Sequence, residues 1–241
     1  MVALLGLLAC EPTLPPPQLP QLAAAPPRLA PMAVRALVLP AGETMIWDVH
    51  ADGLTIGRAE LAIGDTEVRS KFKTGQLASM IATAKHDATT ALDRRALRPR
   101  GMDELLQLDT EVTRVHADLD GASVSVGKAH TTIPGHQVGQ TLHTALGWVR
   151  AWAAPGAEPG FLFVIHMGEL YRLDIGRPRP SEVAGTRALE IECRAGVYRS
   201  KDDPIAMKLW LSADARRVPL RIEVTVGTLR LTAELIEHAT R

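Results

Sequence analysis

The chain has 241 residues, and its 27 lysines and arginines balance its 27 aspartates and glutamates, giving a formal net charge of zero. No basic excess marks a nucleic-acid footprint, and aromatic residues at 4% are too few for a platform of stacked bases. Two cysteines exclude a disulfide framework, while the length suits one substantial domain plus an appendage.

Met1 to Ala9 is apolar and ends Leu7-Leu8-Ala9-Cys10, which resembles a bacterial lipobox, where the cysteine is lipidated and becomes the mature N-terminus. Residues 1–10 are therefore expected to be a lipoprotein-type signal segment with Cys10 as the lipidation site. A basic n-region is missing, so two other readings stay open: a start placed too late, or the unprocessed apolar N-terminus of a cytosolic protein. Residues 11–40 read as a tether rich in proline and alanine, with Pro15-Pro16-Pro17 and Pro26-Pro27 unable to propagate a helix or pair as a central strand. Extended at about 3.1 Å per residue, some twenty residues of it reach roughly 60 Å. No other stretch is long enough to span a bilayer.

Residues 41–241 read as a single β-rich domain. Thr44 to His50 alternates with Met45, Trp47 and Val49 on one face, and Asp52-Gly53 signals a type I′ turn. The return strand keeps register only if Gly57 forms a bulge, which sets Trp47 opposite Ala59, Met45 opposite Leu61 and Asp48 opposite Arg58. A third strand is expected over Glu67 to Lys73. Leu77, Met80, Ile81 and Ala84 then follow helical spacing, predicting a helix between Gly75 and His86. Short strands broken by turns follow at Thr89 to Leu92, Arg95 to Arg98, Thr110 to Leu119 and Ala122 to Val126.

A second helical stripe comprises Leu142, Ala145, Leu146, Val149 and Trp152, begins at Gln140 or Thr141 and is stopped by Pro155-Gly156. Phe161 to Met167 and Leu170 to Ile175 predict a hairpin around Gly168-Glu169, pairing Leu162 with Ile175, Val164 with Leu173 and His166 with Tyr171. Phe161, Phe163 and Ile165 make the other face of that strand apolar too, so it is expected to be covered on both sides, by a helix or an apolar ligand. Strands at Leu189 to Arg194 and Ile205 to Leu211 precede the clearest element. In Val218 to Val226 every second residue is apolar, and Gly227-Thr228 supplies a type II′ turn. Val226 then faces Leu229, Val224 faces Leu231, Ile222 faces Ala233 and Leu220 faces Leu235, while Arg221 meets Glu234 on the other face.

These ends carry a family resemblance. Leu209-Trp210-Leu211-Ser212-Ala213-Asp214-Ala215-Arg216-Arg217-Val218-Pro219-Leu220-Arg221-Ile222-Glu223, with Gly227 and Ala233-Glu234-Leu235, resembles the closing signature of the domain-of-unknown-function family 3108 of bacterial envelope proteins. Ala41 to Val49 and Gly53 to Leu61 resemble that family's first hairpin. The resemblance spans roughly Ala41 to His238, is strongest at its two ends, and implies an exported, mostly β protein with no catalytic residues to carry over. Taken together, the fold expected is mainly β: a strongly curved antiparallel sheet or partly closed barrel with about two packing helices.

Candidate chemistry is sparse. His130, His136 and His143, with His86 and His116 nearby in sequence, lack the tight spacing of zinc ligands, so no metal is expected. Ser212 and Asp214 sit beside each other, but no Gly-x-Ser-x-Gly elbow occurs and both suit a turn. Asp103-Glu104 and Asp202-Asp203 read as solvated loop pairs. Arg177-Pro178-Arg179-Pro180 reads as an extended basic loop, and Cys193 as a small buried apolar residue on a strand. Trp210 shares a face with Ala206, Lys208 and Ser212, there to cap the sheet or line a pocket.

The resulting expectation is a non-enzymatic envelope protein without cofactor, held at a membrane through Cys10. Its β domain binds an apolar ligand or an envelope protein, and not nucleic acid, in a pocket expected at Trp47, Trp210, Phe161, Phe163 and Ile165. Two alternatives stand beside it: a structural or assembly protein with no ligand, and a hydrolase, should a histidine lie within about 3.2 Å of a serine or carboxylate in a cleft. The place expected is the periplasmic cell envelope, or the cytoplasm if Met1 to Cys10 is not a signal.

Overall fold

A computed structural model describes residues 29–76, 78–80 and 82–240. Cys10, the signal segment and the tether up to residue 28 lie outside these residues. Seventeen strands form one sheet: β1 (Ala30–Pro31), β2 (Glu43–Ala51), β3 (Leu54–Ile63), β4 (Glu67–Thr74), β5 (Ala84–Asp93), β6 (Arg98–Leu108), β7 (Glu111–Asp120), β8 (Ser123–Val126), β9 (Ala129–Thr132), β10 (Gln140–Thr141), β11 (Gly160–His166), β12 (Glu169–Ile175), β13 (Arg179–Val183), β14 (Thr186–Val197), β15 (Ile205–Ser212), β16 (Pro219–Val226) and β17 (Leu229–Thr240). Between β10 and β11 runs the helix α1 (Leu142–Trp152).

The protein is mainly β, and its sheet is strongly curved but open. From one edge the order is β1, β10, then β11 to β17, followed by β2 to β9 at the other edge. Among the described residues only β1 and β10 pair in parallel, both with β11. Curvature brings distant strands face to face. Phe163 and Ile165 of β11 pack on Met102, Ala117, Leu119 and Val124 of β6 to β8, far away in the strand order. The opposite face of β11, through Leu162 and Val164, packs with Ala145 and Val149 of α1 and with Ile191 and Leu211 of β14 and β15. The doubly apolar strand is thus covered by protein on both sides, as a strand with two apolar faces must be to avoid exposing one.

The two signature hairpins form in their expected registers. Trp47 pairs with Ala59, Met45 with Leu61 and Asp48 with Arg58, and the register shifts between Val49 and His50 because Ile56 is extra beside Gly57. Asp52 and Gly53 both have positive φ, 48° and 87°, as a type I′ turn requires. In the closing hairpin Val226 pairs with Leu229, Val224 with Leu231 and Ile222 with Ala233, and Gly227 has φ 59°. Leu235 instead pairs across to Trp47 of β2, which joins the two hairpins into one surface.

Thr141 is the N-cap of α1. Its side chain accepts from the Thr144 amide, and Thr144 reciprocates on the Thr141 amide, a capping box closed by a threonine. The helix is buried over most of its circumference, including His143, Thr144, Gly147 and Arg150, so the expected stripe understates the covered face. Leu142, placed in that stripe, is 45% exposed.

Several expectations are corrected. Two packing helices were expected, but among the described residues one α-helix is present. Of the apolar stripe at Gly75 to His86, Leu77 and Ile81 lie outside the described residues; among the described ones a 3-10 turn forms at Ala78–Met80, and β5 begins at Ala84. The hairpin of β11 and β12 is offset by two residues from the expected pairing: Leu162 meets Leu173, Val164 meets Tyr171 and His166 meets Glu169. Its turn is Met167-Gly168, with φ 50° and 83°, since glycine is best accommodated at the second position of a type I′ turn. Asp103-Glu104 lies inside β6 rather than in a loop. Residues 30–40, read as tether, are part of the packed domain: Met32 donates its amide to Phe161, and Leu39 is fully buried over Gly147.

Candidate functional site

Between the concave face of the sheet and α1 lies a cavity of about 370 Å³. Trp47, Leu61, Phe72, Leu146, Leu209 and Ile222 are among its apolar lining. Its polar lining converges from separate elements: Ser70 on β4, His86 and Thr90 on β5, Glu104 on β6, and Thr141 and His143 at the start of α1. The period of two in a strand places Ser70 with Phe72, His86 with Thr90, and Met102 with Glu104 on the inner face. Ladder register then makes them neighbours, because Ser70 and Glu104 both pair with Ala88, while Phe72 pairs with His86.

His143 is held at both nitrogens. Its Nε2 lies 2.9 Å from Ser70 Oγ and its Nδ1 2.8 Å from Thr90 Oγ1, while Thr90 donates to Thr141 Oγ1 at 2.9 Å. Because the Thr90 proton goes to Thr141, Nδ1–H donates to Thr90 and Nε2 accepts from Ser70. Burial pushes the imidazole down to about 4, partly opposed by the charge of Glu104, so it is neutral at neutral pH.

Beside it, Glu104 Oε1 lies 2.8 Å from His166 Nδ1 and 3.9 Å from His86 Nε2, and Glu104 Oε2 accepts the Met167 amide. Burial raises the Glu104 carboxyl, but the His166 hydrogen bond and charge, the Met167 amide and the His86 charge outweigh it and hold the group below the usual carboxylate range. Burial lowers His86, against the attraction of Glu104. The cavity is therefore apolar over most of its wall and carries ionisable and hydroxyl groups at one end.

Two wider depressions are open and carry both signs of charge. One, of about 900 Å³, is edged by Asp48, Arg58, Glu60, Lys71, Lys73 and Lys85. The other, of about 950 Å³, is edged by Arg172, Asp174, Glu192, Arg194 and Lys208. Neither presents a single sign that would select a ligand by charge.

Of the residues expected to form a pocket, Trp47 lines the cavity and anchors itself by donating Nε1–H to the Pro219 carbonyl at 3.0 Å. Trp210 alternates with Leu209 and so lies on the other face, donating to Glu190 Oε2 at 3.0 Å beneath the Arg221 guanidinium. Phe161, Phe163 and Ile165 join the contact between β11 and β6 to β8, where Phe163 meets Phe161 and Tyr198 edge to face. Cys193 lines the cavity, but burial first and then the Glu192 charge push its thiol up to about 12, leaving it unreactive. Ser212 donates to Asp214 Oδ1 at 2.7 Å and accepts from the Val218 amide at 2.8 Å, which closes the bend before β16. His130 bonds Ser123 and Ser125 on an exposed hairpin and stands apart from His143.

Glu104, His166, Ser70 and Thr90 were missed in the sequence. Their partners are far along the chain, so no local spacing joins them. One signal was available: Glu104 is an acid on a face of β6 whose neighbouring residues, Met102 and Leu106, are apolar.

No family model matches the chain, and no curated protein matches it. Solved structures do. A β-barrel-like protein of the domain of unknown function DUF1849 from Brucella abortus superposes with a TM-score of 0.60 at 12% identity, over 87% of this chain and 100% of that chain. This likeness shows the fold: a β-barrel-like module with a rolled sheet. A DUF1089 family protein from Pseudomonas aeruginosa reaches a TM-score of 0.42 at 13% identity, over 69% of this chain and 88% of that one. The lipoprotein LppX from Mycobacterium tuberculosis reaches 0.28 at 8% identity, over 82% and 86%. These two are too distant to add to the argument, and the resemblance to family 3108 rests on the signature residues alone.

Proposed function

We propose that this chain is a non-enzymatic cell-envelope module, held at a membrane through lipidated Cys10, that binds an apolar ligand with a polar head in the cavity between the sheet and α1. The observation that carries this reading is the cavity itself: about 370 Å³, walled by apolar side chains, with His143, Ser70 and Glu104 gathered at one end. That size falls within the usual range for small-molecule sites, and few convergent polar groups in an apolar wall is their usual chemistry. A purely structural role would leave the interior filled. The test is native mass spectrometry of the purified chain for co-purifying lipid, with titration of a fluorescent fatty acid. No bound lipid and no saturable probe binding would refute the reading. Anchoring is tested separately, because Cys10→Ala is expected to abolish fatty-acid labelling in a bacterial host.

A hydrolase is the second reading, favoured by one contact: His143 Nε2 lies 2.9 Å from Ser70 Oγ. The chemistry around that contact opposes it. Nδ1 is backed by a threonine hydroxyl instead of a carboxylate, and an imidazole near 4 is a weak base for a serine proton. The β4 backbone is paired on both sides, with β3 and β5, which leaves no pair of amides beside Ser70 for an oxyanion. Ser70 is therefore expected to resist a fluorophosphonate probe. Labelling that disappears in Ser70→Ala would reverse this choice.

A further inference from the structure

His86, Glu104 and His166 bring three ligand-type atoms within 4.8 Å of one another, the one such group among the described residues. They come from the paired strands β5 and β6 and from the end of β11, which reaches them only because the sheet is rolled. The donor set, two imidazoles and a carboxylate, is one that binds zinc with a fourth position open. We propose that these three side chains form a binding site for a divalent first-row transition metal, with Zn2+ as its natural type.

Three features of the geometry support the assignment. Glu104 Oε1 stands 2.8 Å from His166 Nδ1 and 3.9 Å from His86 Nε2. Ligand atoms at about 2.0–2.1 Å from a tetrahedral ion lie about 3.3 Å apart, so the two spacings to Glu104 straddle the required one, while the third edge, between the two imidazoles, is under 4.8 Å. The carboxylate is oriented from behind, because its other oxygen accepts the Met167 amide, the kind of outer support that metal ligands use. His86 Nε2 is shut off from solvent and makes no hydrogen bond, an arrangement that costs stability unless something coordinates it. A cluster serving only to bond β11 to β6 needs Glu104 and His166; it gives no reason for a third, unpaired nitrogen aimed at the same oxygen.

The site goes beyond ligand binding in the cavity and does not depend on it. His86 and Glu104 also line the cavity, so an ion held there sits at its polar end.

The probe is the metal alone. The full chain, stripped with EDTA and dialysed, is titrated with Co2+ followed by visible spectroscopy, and with Zn2+ by calorimetry. About one equivalent is expected to bind, with an intense tetrahedral-type cobalt spectrum that Zn2+ displaces. His86→Ala and His166→Ala should each weaken binding at least tenfold, whereas His130→Ala should not. Zn2+ should also raise the Tm of the unmodified chain and EDTA should reverse the rise, a readout that does not depend on any variant folding. Absence of stoichiometric Co2+ or Zn2+ binding, or unaltered binding in a folded His86→Ala chain, overturns the proposal.

Discussion

Arg150 and Glu43 form a bidentate ion pair in the interior, Nη1 to Oε2 at 2.7 Å and Nη2 to Oε1 at 2.9 Å, with the two residues 1% and 2% exposed. It ties the last turn of α1 to the first residue of β2. Remaining capacity is used as well: Arg150 donates to the Arg216 carbonyl, and Glu43 Oε1 lies 2.9 Å from His238 Nε2. Burying two charges is tolerable only with such saturation, and removing one partner strands the other. Arg150→Met is therefore expected to cost about 3–5 kcal/mol in urea unfolding. Adding Glu43→Leu should restore much of that loss. A single-variant cost under about 1 kcal/mol would show that the pair does not hold the helix.

Acid sensitivity should report on His143. Above about pH 7 its imidazole is neutral in both states and adds no slope. As pH falls through 6.5 the unfolded imidazole takes up a proton that the folded one, held near 4 by burial, does not, so stability declines until about pH 4. The full decline amounts to about 3 kcal/mol. His86, also lowered by burial, acts in the same direction. His116, raised by its bond to Asp103, has the opposite sign but is exposed and screened. Glu104 and Asp214 are held low, so what they contribute begins to go as pH falls through their ordinary values of 4.5 and 3.8, at the lower edge of this window, and is lost mostly below it. Thermal unfolding between pH 4 and 7 should be markedly flatter in His143→Gln. Equal slopes in the two proteins would contradict the assignment.

Two glycines separate close approach from backbone conformation. A Cβ on Gly57 would stand 2.3 Å from the Lys73 carbonyl oxygen, which belongs to the paired strand and cannot swing aside. At Gly227 a Cβ meets nothing within 4 Å, and the cost is only that of a φ of 59°. Gly57→Ala should lower stability by about 2–3 kcal/mol and Gly227→Ala by about 1–2 kcal/mol. Denaturant midpoints of the two variants compare them directly, and the reverse order would mean the β3 bulge is not where the register places it.

The parts of the fold legible in advance were those where local rules agree. For β16 and β17, alternation and a two-residue glycine turn specify one register, and β2 with β3 adds a bulge glycine. The β11 hairpin shows the limit: alternation alone is satisfied equally by a shift of two residues, and the positive φ of Met167 leaves no mark in composition. Leu77 to Ala84 shows another, since a short apolar stripe suits a helix only if the chain continues it, and β5 takes over at Ala84. The site was the least legible part. Glu104 and His166 are separated by 62 residues, and what joins them is the rolling of the sheet.

Whether the cavity is a binding site or merely loose packing can be decided by filling it. Ala233 on β17 lines it opposite Ile222 and has a strand backbone that accepts an aromatic residue. In a close-packed interior Ala233→Phe would force neighbours apart at a cost of about 1–3 kcal/mol. Here the ring has about 370 Å³ of space to enter, so stability should change by less than about 1 kcal/mol. Occupying that space should weaken binding of a fluorescent fatty acid at least tenfold. Paired measurement of unfolding and probe affinity separates the cases: lost stability with undiminished affinity would place the ligand elsewhere, and small changes in stability with lost affinity would place it against Trp47, Ile222 and the His143 end of the cavity.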